Sequence, residues 1–268
     1  MSERADVQFH ALHAEGLLLL SNCWDAGSAR LAEAAGGKAL ATSSAAVAWS
    51  HGYADGSHLP LELLLSTVRG IRRVTTLPLT VDIEDGYSGD PQEVAALGAQ
   101  LLGAGVVGVN IEDGADEPEL LCRKIAALRA AASAAGVDLY INARTDVYLR
   151  QLAGDGERVA ETLRRARLYR EAGASGLFAP GVRDEAEIAA IAAGSPMPLN
   201  VLVRPGFPSP QRLLELGVRR LSAGSDIAEM SLSYVSHAMR QFLDSGSIVS
   251  PQTPILTYPA LNGLMARG

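Results

Sequence analysis

Hydrophobic and polar positions along this chain follow two alternating periods. Short apolar runs of strand type recur near 17–21 (LLLLS), 38–43 (KALATS), 78–84 (PLTVDIE), 106–112 (VVGVNIE), 138–144 (DLYINAR), 175–179 (SGLFA), 198–202 (PLNVL) and 219–223 (RRLSA). Between them lie longer stretches with helical spacing, at 27–35, 60–74, 91–103, 117–135, 156–172, 184–193, 209–216 and 225–242. These are rich in Ala, Leu, Arg and Glu, residues that lose little on entering a helix. Gly36, Gly37, Gly105, Gly136, Gly173 and Gly217 stand where helix hands over to strand, as C-terminal caps do. Eight such units predict an α/β fold, a single (β/α)8 TIM barrel. A doubly wound open sheet competes, but it normally carries a Gly-rich phosphate or dinucleotide loop after an early strand, and none is found in this sequence. The opening MSERADVQFHALHAEG is patterned as a helix, and 243–268 carries Gly, Ser and Pro. The expected organisation is a barrel domain over 1–242 and a C-terminal tail over 243–268 that packs on the barrel or on a neighbouring subunit.

Parity then sorts the strand residues, because successive side chains point to opposite faces. In 78–84, Val81 and Ile83 share one face and Asp82 and Glu84 the other. In 106–112, Val107, Val109 and Ile111 oppose Gly108, Asn110 and Glu112; in 138–144, Ile141 and Ala143 oppose Asn142 and Arg144. The apolar sets suit packing against helices. The polar sets then face the barrel axis at the C-terminal ends of neighbouring strands, where barrel enzymes place their active sites. Asp82, Glu84, Glu112 and Arg144 are expected to converge there. Carboxylates gathered in a water-poor pocket need raised pKa values or a cation among them. An all-oxygen set without His or Cys suits a hard ion, Mg2+ foremost, that keeps several waters. Solvated loop acids, or a plain ion pair of Arg144 with Glu112 or Asp146, are the competing readings.

Composition narrows the partners. The net charge is −7 and no run of Lys and Arg exceeds two residues, which disfavours nucleic acid and anionic membrane surfaces. Two isolated cysteines, Cys23 and Cys122, suggest neither a disulfide framework nor a zinc site. The polar N-terminus lacks the apolar core of a signal peptide, and no apolar run approaches membrane-spanning length. The expectation is a cytoplasmic enzyme with a small-molecule substrate. Among the loop residues, Asp25 suits a helix cap, and His51, His58, Tyr53 and Tyr87 sit where a lid could close.

The ordered strings NCWDAGSARLAEAAGGKALATSSAAVAWSHGYADG (22–56), VDIEDGY (81–87), GVNIEDG (108–114), INARTDVYL (141–149) and PLNVL (198–202) resemble the isocitrate lyase/phosphoenolpyruvate mutase superfamily over nearly the whole chain up to about residue 240. The resemblance implies a (β/α)8 barrel and a homotetramer, a dimer of dimers that exchange a C-terminal helix. It implies Mg2+, with Mn2+ as a substitute, and 2-oxo acid substrates or their precursors reacting through an enolate of pyruvate type. Residue by residue, it makes Asp82 the acid that contacts the metal and the substrate. Asp55, Glu84 and Glu112 become the acids that hold metal-bound waters, with Asp55 and Glu112 counted among the catalytic groups. Ser43 and Ser44 hold the substrate carboxylate, Arg144 contacts the carbonyl oxygen, and Asn200 lies near the substrate's distal end. The isocitrate and methylisocitrate lyases carry a KKCGH-type loop after strand 4 whose cysteine is the catalytic acid/base. This chain reads IEDGADEPELLCRK there, and Cys122 falls at the wrong spacing. The lysine and asparagine that phosphonomutases place on the same loop are missing as well.

The reading that follows is a Mg2+-dependent lyase acting on a small 2-oxo acid by C–C cleavage or decarboxylation. A phosphonomutase-like or phosphonopyruvate-hydrolysing enzyme, and a 2-oxo-acid-binding protein with little turnover, stay open beside it.

Overall fold

The computed structural model describes residues 4–248 and 256–266. Eight parallel strands close into a barrel in chain order: β1 (Leu18–Cys23), β2 (Leu40–Thr42), β3 (Leu79–Asp82), β4 (Gly108–Glu112), β5 (Tyr140–Arg144), β6 (Gly176–Phe178), β7 (Leu199–Leu202) and β8 (Arg220–Ser222). Helix α1 (Ala5–Ala14) precedes β1, and α2 (Ala26–Ala34) follows it. Next come α3 (Ser44–Ser50), α4 (Leu61–Val74), α5 (Pro91–Gly103), α6 (Pro118–Ala134), α7 (Arg158–Glu171), α8 (Glu185–Gly194), α9 (Pro210–Glu215), α10 (Asp226–Ser245) and α11 (Tyr258–Met265). This is the (β/α)8 architecture the periodicity predicts. None of the described helices is long and apolar enough to cross a membrane.

The parity argument holds within β3, β4 and β5; Val107, expected against the helices with Val109 and Ile111, precedes the first residue of β4 and packs with the lower barrel instead. Val81, Val109, Ile111, Ile141 and Ala143 are fully buried between barrel and helices, in one cluster with Leu97, Leu101, Ile125 and Leu128. The opposite faces point inward. Leu18, Leu20, Ala41, Val107 and Tyr140 fill the lower barrel together with Phe9 from α1, so the N-terminal helix plugs the bottom. Above them the interior turns polar, with Thr80, Asn110, Asn142, Asn200 and Arg220 all buried. Gly176 makes room for this filling. A Cβ there would stand 2.5 Å from the Tyr140 hydroxyl and 2.8 Å from Asn142 Oδ1, closer than packed atoms tolerate.

Local sequence explains the entries into the helices. Asp25 caps α2 in a capping box with Ser28, whose amide donates to Asp25 Oδ1 at 2.6 Å. Asp90 precedes Pro91 at the start of α5 and accepts from the Gln92 amide at 2.9 Å. Two features depart from the expected spans. A short helix, α3, follows β2 directly because Ser43 caps an alanine-rich turn by accepting from the Ala46 amide. Strand β3 stops at Asp82, since Glu84 adopts a left-handed φ of +52° that no strand continues through.

At the C-terminus α10 runs across position 242 to Ser245, where Gly246 ends it at φ +67°. Helix α10 leaves Met230, Met239, Phe242 and Leu243 exposed around its circumference, Leu243 at 81%. Helix α11 returns to the barrel, where the Arg30 guanidinium donates twice to the Leu264 carbonyl at 3.2 Å. Residues 249–255 and 267–268 of the expected tail lie outside the described residues.

Candidate active site

A cavity of about 160 Å3 opens at the C-terminal ends of the strands. Asp82 (β3), Asn110 (β4), Arg144 (β5) and Phe178 (β6) line it, with Ser43 and Ser44 at the start of α3 and Asp55 on the loop beyond. Of the four residues expected to converge, Asp82 and Arg144 line this cavity, as do Asp55, Ser43 and Ser44, which the resemblance adds. Glu84 and Glu112 stand behind this lining, and Asn200 lies buried within the barrel, where its Nδ2 donates to Ser222 Oγ at 3.3 Å. Ser222 in turn lines the cavity.

Asp82 is tied into the top of the barrel from three sides. Its amide donates to Thr42 Oγ1 at 2.9 Å, and its carboxylate accepts from the Ser44 amide at 3.3 Å and the Glu84 amide at 3.4 Å. Glu84 turns back in its left-handed conformation and accepts from the amide and hydroxyl of Ser57, another residue at positive φ. Two strained residues holding each other at the rim is the pattern of a site whose geometry is enforced by its surroundings. The same Ser57 hydroxyl donates to Asp85 Oδ1 at 2.9 Å, and the buried Lys124 ammonium holds the Asp85 carbonyl at 2.7 Å. The loop carrying the acids is thereby pinned to α6.

Arg144 is gripped by two acids. Its Nη1 lies 2.6 Å from Glu112 Oε2, while Nε and Nη2 reach the two oxygens of Asp146 at 2.7 and 3.1 Å. Asp146 is itself placed by Asp113, whose Oδ1 accepts from the Asp146 amide at 2.9 Å. Asp113 is completely enclosed and takes Arg165 Nη1 at 2.8 Å and the Tyr169 hydroxyl from α7. The ion pair of Arg144 with Glu112 or Asp146, the competing reading of this residue, is therefore present with both.

Electrostatics set the acids apart. Burial pushes the Asp82 carboxyl above the usual carboxylate range, and Asp55 adds to it; Arg144 and the Ser44 and Glu84 amides oppose. Burial raises Glu84 likewise, with Asp55 and Asp82 adding and Tyr87 and Ser57 opposing. Glu112 is pushed up to about 8, first by burial and then by Asp82, Asp146 and Glu84, against the pull of Arg144. Burial alone would lower Arg144, but Glu112 and Asp146 carry it above its ordinary value. Crowded oxygen donors that raise one another fit a hard divalent cation, whose charge would reverse these shifts. Among the described residues no three His, Cys, Asp or Glu side chains come together tightly enough to chelate one ion.

The far wall was not anticipated from the sequence. It consists of Leu202 at the end of β7 and Arg204 beyond it, Ser222 at the end of β8, Gly224 and Ser225 before α10, and Asn22 near the end of β1. Asn22 Oδ1 accepts from the Ala223 and Gly224 amides, both at 2.9 Å, and closes the seam between β8 and β1. Parity carried past the end of β7 leads from Asn200 through Leu202 to Arg204, a signal the sequence does contain. Of the tempting loop residues, His51 is exposed and bonded to Thr67, and Tyr53 is exposed.

Comparison with known proteins places this architecture. The family model for phosphoenolpyruvate phosphomutase matches residues 9–243. An uncharacterized protein of Mycobacterium tuberculosis is 36% identical over 89% of this chain and 90% of its own. An oxaloacetate decarboxylase of Bradyrhizobium is 31% identical over 73% of this chain and 69% of its own. A crystal structure from Burkholderia cenocepacia, provisionally described as a phosphonomutase, is 41% identical over 89% of this chain and all of its own, with a TM-score of 0.84. A phosphonopyruvate hydrolase solved with oxalate and Mg2+ shares the fold at TM-score 0.84, with 22% identity over 98% and 95% of the two chains. The chain thus belongs to the phosphoenolpyruvate phosphomutase family.

Proposed function

We propose that this chain is a Mg2+-dependent lyase that cleaves or decarboxylates a small 2-oxo acid through an enolpyruvate-type intermediate. The observation that carries this reading is the meeting, in one small cavity, of desolvated Asp82 with Arg144 and the start of α3. Asp82 would hold the metal directly, and Asp55, Glu84 and Glu112 would hold its waters. When bound, Mg2+ supplies Lewis-acid stabilisation of negative charge on the substrate's carbonyl oxygen. Ser43 and Ser44 seat the substrate carboxylate. Arg144, kept charged and oriented by Glu112 and Asp146, faces the oxygen on which negative charge develops when the bond beside the carbonyl breaks. In decarboxylation the C–C electron pair stays on the substrate as the enolate, CO2 leaves, and water supplies the proton that completes the 2-oxo acid product. The decarboxylase relative supports this branch.

Proton NMR in D2O, with Mg2+ and pyruvate, oxaloacetate, 2-oxoglutarate and phosphonopyruvate in turn, tests the reading. One acid should be consumed, or exchange its C3 protons, in the wild type but not in Asp82→Ala. If every acid stays intact and unexchanged while one still binds, the chain is a 2-oxo-acid-binding protein instead. The 41%-identical phosphonomutase-type relative motivates a second enzymatic reading. Phosphate release from phosphonopyruvate, with oxaloacetate untouched, would select it. The exposed apolar side chains of α10 support the homotetramer expected from the resemblance, built from helix-exchanging dimers, and a cytoplasmic location fits this chemistry.

A further inference from the structure

We infer that Arg204 is the specificity-determining residue that reads a second anionic group on the substrate, so that the preferred ligands are dianionic 2-oxo acids. The inference rests on the proposed reading of the cavity as a 2-oxo acid site. Its basis is the layout of the cavity. In a closed ring of eight strands, β3 and β7 are four apart, so Asp82 at the end of β3 and Arg204 just beyond β7 stand on opposite sides of the mouth. Both line the cavity. Between them on the β5–β7 side lie Leu149, Phe178, Pro180 and Leu202, an apolar stretch suited to a short carbon chain. A ligand whose carbonyl end is held by Asp82 and Ser44 therefore points its other end across this stretch toward Arg204.

The two cations lining the cavity are differently committed. Arg144 is engaged by Glu112 and Asp146 through all three of its guanidinium nitrogens. Arg204 has one partner among the described residues, Asp226 at the start of α10, with Nη1 2.6 Å from Oδ1. That single tether fixes the direction of the guanidinium and leaves Nε and Nη2 for an incoming group. A planar guanidinium with two adjacent free donors matches a carboxylate or a phosphonate oxygen pair. Both side chains of the tether are 30% exposed, so the donors are reachable from the cavity.

The test compares dianionic with monoanionic ligands on the Mg2+-loaded full chain, in wild type, Arg204→Gln and Arg204→Lys. Calorimetric titration with malate and lactate, which resist decarboxylation, reads binding. Steady-state turnover of oxaloacetate and phosphonopyruvate, and C3-proton exchange of pyruvate, read chemistry. Wild type should bind malate at least about 10-fold tighter than lactate, the scale of one charge-assisted pair. Arg204→Gln should erase that preference and raise KM for the dianionic substrate about 10- to 100-fold, with lactate and pyruvate changed by less than about threefold. Arg204→Lys should recover part of the preference. Loss of pyruvate formation from oxaloacetate identifies the group read as a carboxylate; loss of phosphate release from phosphonopyruvate identifies it as a phosphonate. A malate preference that is absent in wild type, survives in Arg204→Gln, or disappears together with lactate binding overturns the inference. If wild type turns over no 2-oxo acid, the proposed reaction falls, and the malate–lactate comparison still decides the role of Arg204.

Discussion

Arg144 and Asp146, two positions apart at the end of β5, form a two-point ion pair, Nε to Oδ1 at 2.7 Å and Nη2 to Oδ2 at 3.1 Å. Asp146 is almost wholly buried and also accepts from Arg150 Nε at 3.1 Å. Its amide rests on Asp113, which Arg165 and Tyr169 hold from α7. The direction of Arg144 is thus set through a helix on the outside of the barrel.

Asp146→Asn keeps the size of the side chain and removes its charge. Taking one partner from a buried pair is costly, and Glu112 compensates only in part, so a loss of about 3 kcal/mol is expected in urea unfolding. With Arg144 free to swing, kcat/KM should fall at least about 10-fold. Unchanged kcat/KM in a folded variant would show that Asp146 serves stability alone.

Asp82→Asn should act in opposite directions on stability and activity. Burial makes the ionised carboxylate unfavourable in the folded chain, so the neutral isostere should stabilise the metal-free protein. The same substitution should abolish the rise in Tm on adding Mg2+ and lower activity at least about 100-fold. Thermal scans with and without Mg2+ separate the two effects. A Tm that still responds fully to Mg2+ in the variant would remove Asp82 from the metal site.

Much of this site is legible in the chain because its residues ride on regular strands. Period-two alternation sorts Val81 from Asp82 and Ala143 from Arg144 without reference to any other part of the molecule. The limits appear where regular structure stops. Glu84 shares parity with Asp82, yet its left-handed φ takes it out of the strand and onto Ser57. Its direction depends on a loop 27 residues away in sequence. Helix α3 hides in a run that reads equally well as the end of a strand. The hold of Asp113 on Asp146 joins residues 33 apart, and that of Arg165 on Asp113 spans 52. Such pairings leave no local periodicity. Arg204 was within reach of the parity rule but follows the last residue of β7, where alternation is normally no longer trusted.

His13 predicts the pH dependence of folding. It lies beneath the barrel, 2% exposed, with Nδ1 2.7 Å from the Phe9 carbonyl and its ring stacked 3.9 Å from that of Tyr140. Burial, then the charges of Arg220 and His10, hold its pKa down to about 3, against the Phe9 carbonyl. Below pH about 6.5 the unfolded chain therefore binds a proton that the folded chain refuses. This contribution to stability is constant above that pH and is lost as pH falls toward 3, reaching about 2–3 kcal/mol by pH 4.5. Urea unfolding at pH 7.5, 5.5 and 4.5 should show wild type falling more steeply than His13→Leu. Parallel profiles for the two chains would contradict the buried, neutral imidazole.

Gly176 tests the packing of the barrel interior. An alanine methyl would meet the Tyr140 hydroxyl at 2.5 Å, Asn142 Oδ1 at 2.8 Å and Tyr140 Cε1 at 2.9 Å. All belong to buried side chains with little freedom to retreat, so Gly176→Ala should cost about 2–3 kcal/mol. Adding Tyr140→Phe removes the closest contact and should restore a measurable part of that loss. A double-mutant cycle in urea reads the coupling. Simple additivity of the two changes would place the strain elsewhere.

The exposure of α10 makes the final prediction. Met230 is 73% exposed, Met239 61% and Leu243 81%, while Ala228 is the helix's only fully buried residue. A 20-residue helix with so much apolar surface facing water is unusual for a chain that stays single. If α10 is the exchanged helix of a dimer of dimers, these side chains lie in the interface, and charges placed among them meet apolar partners. Met239→Asp combined with Leu243→Asp should convert a sedimenting oligomer of wild type into smaller species. The barrel's near-ultraviolet circular dichroism should survive, because neither side chain contributes to the core. A wild-type chain that sediments as a monomer, or a double variant that still sediments as the full oligomer, would separate this helix from assembly.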